Sequence, residues 1–253
     1  MAHKPRKRFG QNFLVDYQVI NQIISTIAPK NDDTIVEIGP GKGALTFPLA
    51  EYLDHLYVIE IDRDLISILS SKNSHKITIY NSDALTFDFD QFSSKIRVVG
   101  NLPYNISSPL LFHLLDFRSN IIDMTFMLQK EVVERIVASP GNKSYGRISV
   151  IMQAFFDTEL MFKVPKESFD PQPKIESAIL YLKTKKEPLI QNSKPLENIV
   201  KLAFSHRRKT LKNSLKSALN QSQTQIDLSQ RAEMLSLENF VTLMNDYEKQ
   251  NRN

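Results

Sequence analysis

Residues 34–43 read TIVEIGPGKG, and this stretch decides the fold. Ile35, Val36 and Ile38 make a short apolar run of the kind that fills a buried strand. The run ends abruptly in glycine. The chain has only seven glycines, and Gly39, Gly41 and Gly43 fall within five residues. ALTFPLAEYL then follows with helical spacing and a proline near its start. A strand, a glycine-rich turn and a helix are the opening unit of an α/β domain whose backbone approaches a ligand closely.

Working outward, the same alternation repeats. DYQVINQIISTIA (16–28) has helical apolar spacing and stops at Pro29. LYVIEID predicts a second strand, DLISILSSK a helix and KITIYN a third strand. KIRVVGN and IDMTFMLQ add two more strands, separated by the helix of ISSPLLFHLL. Such alternation predicts a parallel sheet with helices on both faces, because parallel strands need crossover connections. Past residue 140 the rhythm changes. YGRISVIMQAFF reads as a helix, and TELMFKVP and IESAILYLK as strands around a long turn, ESFDPQPK. LENIVKLAFS, TLKNSLKSAL, RAEMLS and LENFVTLMNDY read as short helices, reached through the linker KTKKEPLIQNSKP. The expected organisation is an α/β domain over residues 1–186, including a basic N-terminal segment, and a small all-helical domain over 187–253.

Composition narrows the class. At 253 residues, 42% hydrophobic and 24% charged, the chain has the make-up of a folded globular protein. Without cysteine it has no disulfide, thiolate metal site or thiol nucleophile, which fits a reducing cytosol. Its five histidines lack ligand spacing, so no metal is expected. No apolar run reaches membrane-spanning length, and the basic N-terminus leads into FGQNFLVDYQ rather than a signal-peptide core. The net charge of +4 is uneven. Lys4, Arg6, Lys7 and Arg8 stand without an acid in residues 1–8. Residues 183–216 hold ten Lys and Arg against Glu187 and Glu197. Basic ends on an acidic body predict a polyanionic partner gripped at two places.

Consecutive strand ends supply the candidate site. Glu60 ends the second strand, where a carboxylate can bond both hydroxyls of a ribose. Asp83 follows the third, placed to accept from an adenine amino group. A pyrophosphate calls for G-x-G-x-x-G, whereas here the spacing is G-x-G-x-G. That difference favours S-adenosylmethionine, held by Gly39, Gly41, Glu60 and Asp83. The next strand end is GNLPYN (100–105). The side-chain oxygen of Asn101 and the carbonyl of Leu102 can accept from an exocyclic amine. They would localise its lone pair toward a methylsulfonium. Pro103 stiffens the turn, and Tyr104 supplies a ring on which a flipped base can stack. These are the needs of exocyclic amine methylation.

GNLPYN, EIGPGKGALT, RKRFGQNFL, FDPQPKIESA and FSHRRKTLKNSL together resemble the KsgA family, the bacterial small-subunit (16S) rRNA adenine N6,N6-dimethyltransferases. The resemblance spans residues 6 to about 215. It implies a Rossmann-like class I S-adenosylmethionine-dependent methyltransferase domain and a small C-terminal helical domain for RNA recognition. It also implies dimethylation of two adjacent adenines near the 3′ end of the rRNA of the assembling 30S particle, by a cytoplasmic monomer. The family's cofactor contacts fall on Asn12, Leu14, Gly39, Glu60, Asp83 and Asn101; from the residues alone, Phe13 and Leu14 read as core. Asn101, Leu102 and Tyr104 would hold the target amine and base, with Phe169 a second wall of the pocket. Lys4, Arg6, Lys7, Arg8, Arg207, Arg208, Lys209 and Lys212 are the candidate RNA contacts. Two departures are mild: KESF stands where relatives often carry a second proline, and Lys212 where many have arginine. An RNA-binding assembly factor without catalysis, a large-subunit rRNA dimethylase conferring antibiotic resistance and a DNA adenine methyltransferase remain the alternatives.

Overall fold

The computed structural model describes residues 12–72, 75–206, 208–216 and 218–251. The chain divides into two compact units: Met1–Val133 with Glu159–Thr184, and Glu134–Thr158 with Lys185–Asn253. The first unit's last strand thus ends two residues before the boundary expected after residue 186. Residues 134–158 group with the helical segment.

The first unit begins with a two-residue strand β1 (Phe13–Leu14) and helix α1 (Tyr17–Ile27). Asp16 caps α1, its Oδ1 accepting from the backbone N–H groups of Gln18 and Val19. Val19, Ile20, Ile23, Ile24 and Ile27 form its buried face. Ala28 closes the helix in the left-handed region, and Pro29 prevents its continuation. There follow β2 (Ile35–Ile38), α2 (Thr46–Tyr52), β3 (Leu56–Glu60), α3 (Arg63–Ser71), β4 (Ile77–Asn81), β5 (Ile96–Asn101), α4 (Ser107–Asp116) and β6 (Ile121–Gln129). Helix α2 starts at Thr46, which keeps Pro48 within the first turn, where its missing N–H costs nothing.

A short helix α5 (Lys130–Ile136) and α6 (Arg147–Phe155) lead into β7 (Phe156–Val164). A second two-residue strand, β8 (Phe169–Asp170), interrupts the ESFDPQPK turn before β9 (Ser177–Thr184). The main sheet has the order β4-β3-β2-β5-β6-β9-β7. Its first five strands pair in parallel, whereas β9 runs antiparallel to β6. The parallel sheet expected from the alternating elements holds for those five strands; the two later strands, β7 and β9, are neighbours joined by a turn instead of a crossover helix and make the sheet mixed. Burial follows position: every residue of central β2 is buried, while β7 at the sheet edge is buried only at its two ends and alternates half-buried and exposed between them. The core beneath β2 and β3 is made by Ile35, Leu49, Leu53, Leu56 and Val58. Each such side chain contributes roughly 1.5–3 kcal/mol on burial.

The two short strands pair with each other, Phe13 opposite Asp170 and Leu14 opposite Phe169. The Val15 N–H donates to the Ser168 carbonyl, and the Ser168 hydroxyl to Asp16 Oδ2 at 2.9 Å. This ribbon ties Phe13–Val15 to residues more than 150 positions later in the sequence.

The second unit is built on α6, α7 (Ser193–Ala203), the single turn α8 (Leu211–Ser214) and α9 (Leu237–Asn251). Phe204 stacks on Phe240 at 5.8 Å and meets Tyr145 edge-on. Of TLKNSLKSAL, expected as a short helix, only the turn Leu211–Ser214 is α-helical, and RAEMLS, likewise expected as a short helix, yields a 3-10 turn. At the start of α8, Leu211 and Lys212 donate to the Gln230 and Leu228 carbonyls, which pins that end. The following residues carry polar side chains that compete with the helix backbone.

Candidate active site

β5 lies beside β2 while β3 and β4 lie on its other side, so the chain reverses direction across the sheet at the β2–β5 boundary. Ligands of open α/β sheets bind in the crevice at the carboxyl ends of strands at such a switch point. A cleft of about 690 Å³ lies there. It is lined by Asn12, Leu14, Gly39, Gly41, Glu60, Asp83, Asn101, Leu102, Pro103 and Tyr104, all singled out in the sequence.

The glycine turn gives the cleft its floor. Gly39, Gly41 and Gly43 all have positive φ. At Gly41 a side chain would be strained by φ +58°, and its Cβ would stand 3.1 Å from the Phe13 ring, so β1 can close over the turn only because the position is bare. Lys42 Nζ lies over the other partner of that contact, 4.4 Å from the centre of the Phe13 ring. Gly100 serves a different need: a Cβ there would run into the Ile38 carbonyl oxygen, so glycine allows the ends of β2 and β5 to meet.

Two buried carboxylates face this turn. Glu60 Oε1 accepts from the backbone N–H groups of Ile61 (2.9 Å) and Asp62 (2.8 Å). Burial nevertheless pushes its carboxyl above the ordinary carboxylate range. Glu37 is 1% exposed and lines the same cleft. Burial pushes the Glu37 carboxyl up to about 7, with a Thr46 hydroxyl contact acting the other way and the Glu60 charge adding to the rise. Its Oε2 finds no hydrogen-bond partner among the described residues. A buried acceptor without a partner next to a glycine cradle fits a ligand that brings its own donors or positive charge. Sequence reading passed over Glu37 because one acid in an apolar strand looks like ordinary alternation. On β4's side, Asp83 Oδ1 accepts from the Leu85 N–H at 2.9 Å, which fixes its carboxylate in the turn after the strand.

The β5 end is held from three directions. Asn101 Nδ2 donates to the Asn12 carbonyl at 3.2 Å, leaving the amide oxygen as the end that can accept from a ligand. The Leu102 N–H donates to the Met127 carbonyl on β6, and the Ile106 N–H to the Pro103 carbonyl. Tyr104 is half-buried; burial raises its phenol pKa, and a hydrogen bond to Ser177 acts the other way. Phe169 stands apart from this group. It is 3% exposed, lies opposite Leu14 and is not among the residues that line the cleft. In the second unit, Arg208, Lys209 and Lys212 are exposed between α7 and the end of α8. Lys4, Arg6, Lys7, Arg8 and Arg207 lie outside the described residues.

A mixed sheet with this strand order and a cleft at its switch point defines a Rossmann-like methyltransferase domain. The chain belongs to the ribosomal RNA adenine dimethylase family, whose model matches residues 2–249. It is 49% identical to the ribosomal RNA small subunit methyltransferase A of Nitrosospira multiformis, covering 98% of each chain. It is 51% identical to the protein of that name from Legionella pneumophila, covering 96% of this chain and 98% of that one. Among solved structures, it resembles a dimethyladenosine transferase from Plasmodium falciparum (TM-score 0.81, 25% identity, 94% and 98% coverage). It also resembles the 23S rRNA methyltransferase ErmE (TM-score 0.74, 27% identity, 94% and 100% coverage).

Proposed function

We infer that the protein transfers methyl groups from S-adenosylmethionine to N6 of two adjacent adenines near the 3′ end of small-subunit rRNA. The product is N6,N6-dimethyladenosine on the assembling 30S particle, and the enzyme acts as a cytoplasmic monomer. The observation that carries this reading is the tethered amide of Asn101 at the switch point, with its oxygen free to accept beside the glycine turn.

When bound, S-adenosylmethionine supplies an electrophilic methyl group on a sulfonium, whose neutral thioether leaving group needs no acid to depart. The residues that would hold it are Asn12, Leu14, Gly39, Gly41, Glu60, Asp83 and Asn101. Glu37, with its unpartnered Oε2, suits the cationic end of such a ligand. An adenine amino group is a poor nucleophile because its lone pair is spread into the ring. Accepting its hydrogens at Asn101 Oδ1 and the Leu102 carbonyl concentrates the pair on nitrogen. Acceptors fixed before the reaction stabilise the positive charge that develops there without having to reorganise. Tyr104 stacks on the extruded base, an interaction worth about 1–3 kcal/mol. Phe169 is the second wall of the base pocket in this reading. The methylated ammonium releases its proton to water, so no side-chain base is required.

The relatives near 50% identity carry the small-subunit name, while the large-subunit enzyme stands at 27%; this supports the small-subunit substrate. Exposed Arg208, Lys209 and Lys212, with Lys4, Arg6, Lys7, Arg8 and Arg207, are assigned to the rRNA phosphates. The test is transfer of labelled methyl groups to small subunits lacking adenine dimethylation, to large-subunit RNA and to duplex DNA, with the modified base identified by mass. Dimethyladenosine in the small subunit alone is the expected result. Retained binding without transfer would make the protein an assembly factor.

A further inference from the structure

The Tyr104 phenol and the Ser177 hydroxyl lie 2.8 Å apart. Ser177 is fully buried at the first position of β9, opposite Gln129 of β6. At the other end of Tyr104, the hydroxyl of Ser107, also buried, donates to its carbonyl at 3.0 Å. A half-exposed aromatic at the mouth of the cleft is thus tied down both through its backbone and at the tip of its ring by serines that solvent does not reach.

A tyrosine has two side-chain torsions. Swinging about the first would carry the phenol oxygen away from Ser177 and break the bond. The second sets the tilt of the ring. Because a phenol O–H lies in the ring plane, a partner fixed on the sheet biases that tilt as well. The Ser177 hydroxyl is a poor choice for merely filling space, since a buried hydroxyl must find a partner. Its partner is the one ring that lines the cleft from the NLPY turn.

We propose that Ser177 is a positioning residue that fixes the ring plane of Tyr104 and thereby governs the second methyl transfer. The proposal rests on the reading that Tyr104 stacks on the target adenine. An unmodified amine offers two hydrogens, one for Asn101 Oδ1 and one for the Leu102 carbonyl. After the first transfer only one hydrogen remains. With one polar contact gone, the stack carries more of the burden of orienting the base. A loosened ring therefore penalises the second transfer more than the first, and monomethyladenosine accumulates.

The test compares Ser177→Ala, Tyr104→Phe and their double variant, as full chains on small subunits lacking dimethylation. Mono- and dimethyladenosine are resolved by mass, and cofactor affinity and thermal midpoint are measured alongside. Each single variant should slow the second transfer about tenfold and the first by about threefold or less, with cofactor affinity unchanged. The double variant should be no slower than the singles, because both remove the same bond. Tyr104→Phe leaves the serine in place, so it decides the matter even if Ser177→Ala folds poorly. A wild-type ratio of mono- to dimethyladenosine in Tyr104→Phe would overturn the proposal, leaving Ser177 a packing residue and the stacking role intact. Undiminished turnover in Tyr104→Ala would instead remove the stacking role itself, a distinguishable failure.

Discussion

At the start of β5, Arg97 donates from Nη1 to Asp33 at 2.7 Å, from Nε to Asp123 at 2.9 Å and from Nη2 to the Ile27 carbonyl at 2.6 Å. Tyr181 on β9 adds a further donor to Asp123. Four residues further along the strand, Asn101 faces a cleft where Glu37 and Glu60 are buried with no ion pair among the described residues, Glu37 with an oxygen that no described residue satisfies. Both ends of the sheet bury acids. At one end the charge is neutralised by the chain itself, and burial of Arg97 is outweighed by its two carboxylates, which raise its pKa. At the other end neutralisation is left undone. A buried acid that the fold does not pair is a demand for a ligand, and this contrast separates the structural end from the working end.

The largest effect is expected at the closed end. Arg97→Ala would strand two largely buried carboxylates, whose side chains are 18% and 9% exposed. Removing one partner of such a cluster costs about 3–5 kcal/mol. Urea unfolding should show that loss, while turnover per folded molecule stays at the wild-type value. A loss below about 1 kcal/mol would break the contrast, placing Arg97 with ordinary surface pairs.

Asn101→Ala should behave in the opposite manner. Loss of one preorganised acceptor lowers the rate by roughly 100- to 1000-fold. Stability should scarcely change, since the amide makes one 3.2 Å bond, to the Asn12 carbonyl. Single-turnover methyl transfer and thermal unfolding on the same preparation check both halves. Near-normal transfer would remove Asn101 from the chemistry.

Glu37 tests whether the open end is held at a cost. Its carboxyl is raised from 4.5 to about 7 in the folded chain. Between those values the native state holds a proton that the unfolded chain has released, so stability falls as pH rises from about 4.5 to 7 and is level above. Glu37→Gln should abolish that slope and leave the free protein more stable than wild type at pH 8, by about 3 kcal/mol at most. Parallel stability curves for the two proteins would show that Glu37 is neutralised within the fold after all.

How much of this was legible depends on the range over which each interaction acts. The glycine turn, Glu60, Asp83 and NLPY were readable because each is a local interruption of an apolar run, and parallel strands bring their ends together automatically. The strand pair of Phe13–Leu14 with Phe169–Asp170 was not, since nothing in QNFL signals a partner more than 150 residues away. The same holds for the Asn12 carbonyl on Asn101 and for Ser177 on Tyr104. The antiparallel β9 was hidden for another reason: alternation announces a strand but not its direction. Glu37 was in plain view within the deciding stretch, yet its significance lies in a missing partner, which no sequence displays.

Phe169 marks where the two kinds of region meet, and it carries the smallest effect. Its ring, within the β1–β8 ribbon and opposite Leu14, is buried in the same core cluster as Leu14. Resemblance gives it an aromatic duty toward the base. Phe169→Leu distinguishes these roles, because leucine fills most of the volume but offers no π face. If Phe169 is a wall of the base pocket, the substitution should raise the KM for small subunits and lower kcat by about tenfold, the worth of one stacking contact, with less than about 1.5 kcal/mol lost in stability. If it only supports Leu14, transfer should remain near wild type and the sole change should be that small loss in unfolding free energy. The first result would mean the ring must leave that buried position when a base enters. That would extend the working end of the sheet to β8 and make β1, which holds Asn12 against Asn101, responsive to the arrival of RNA.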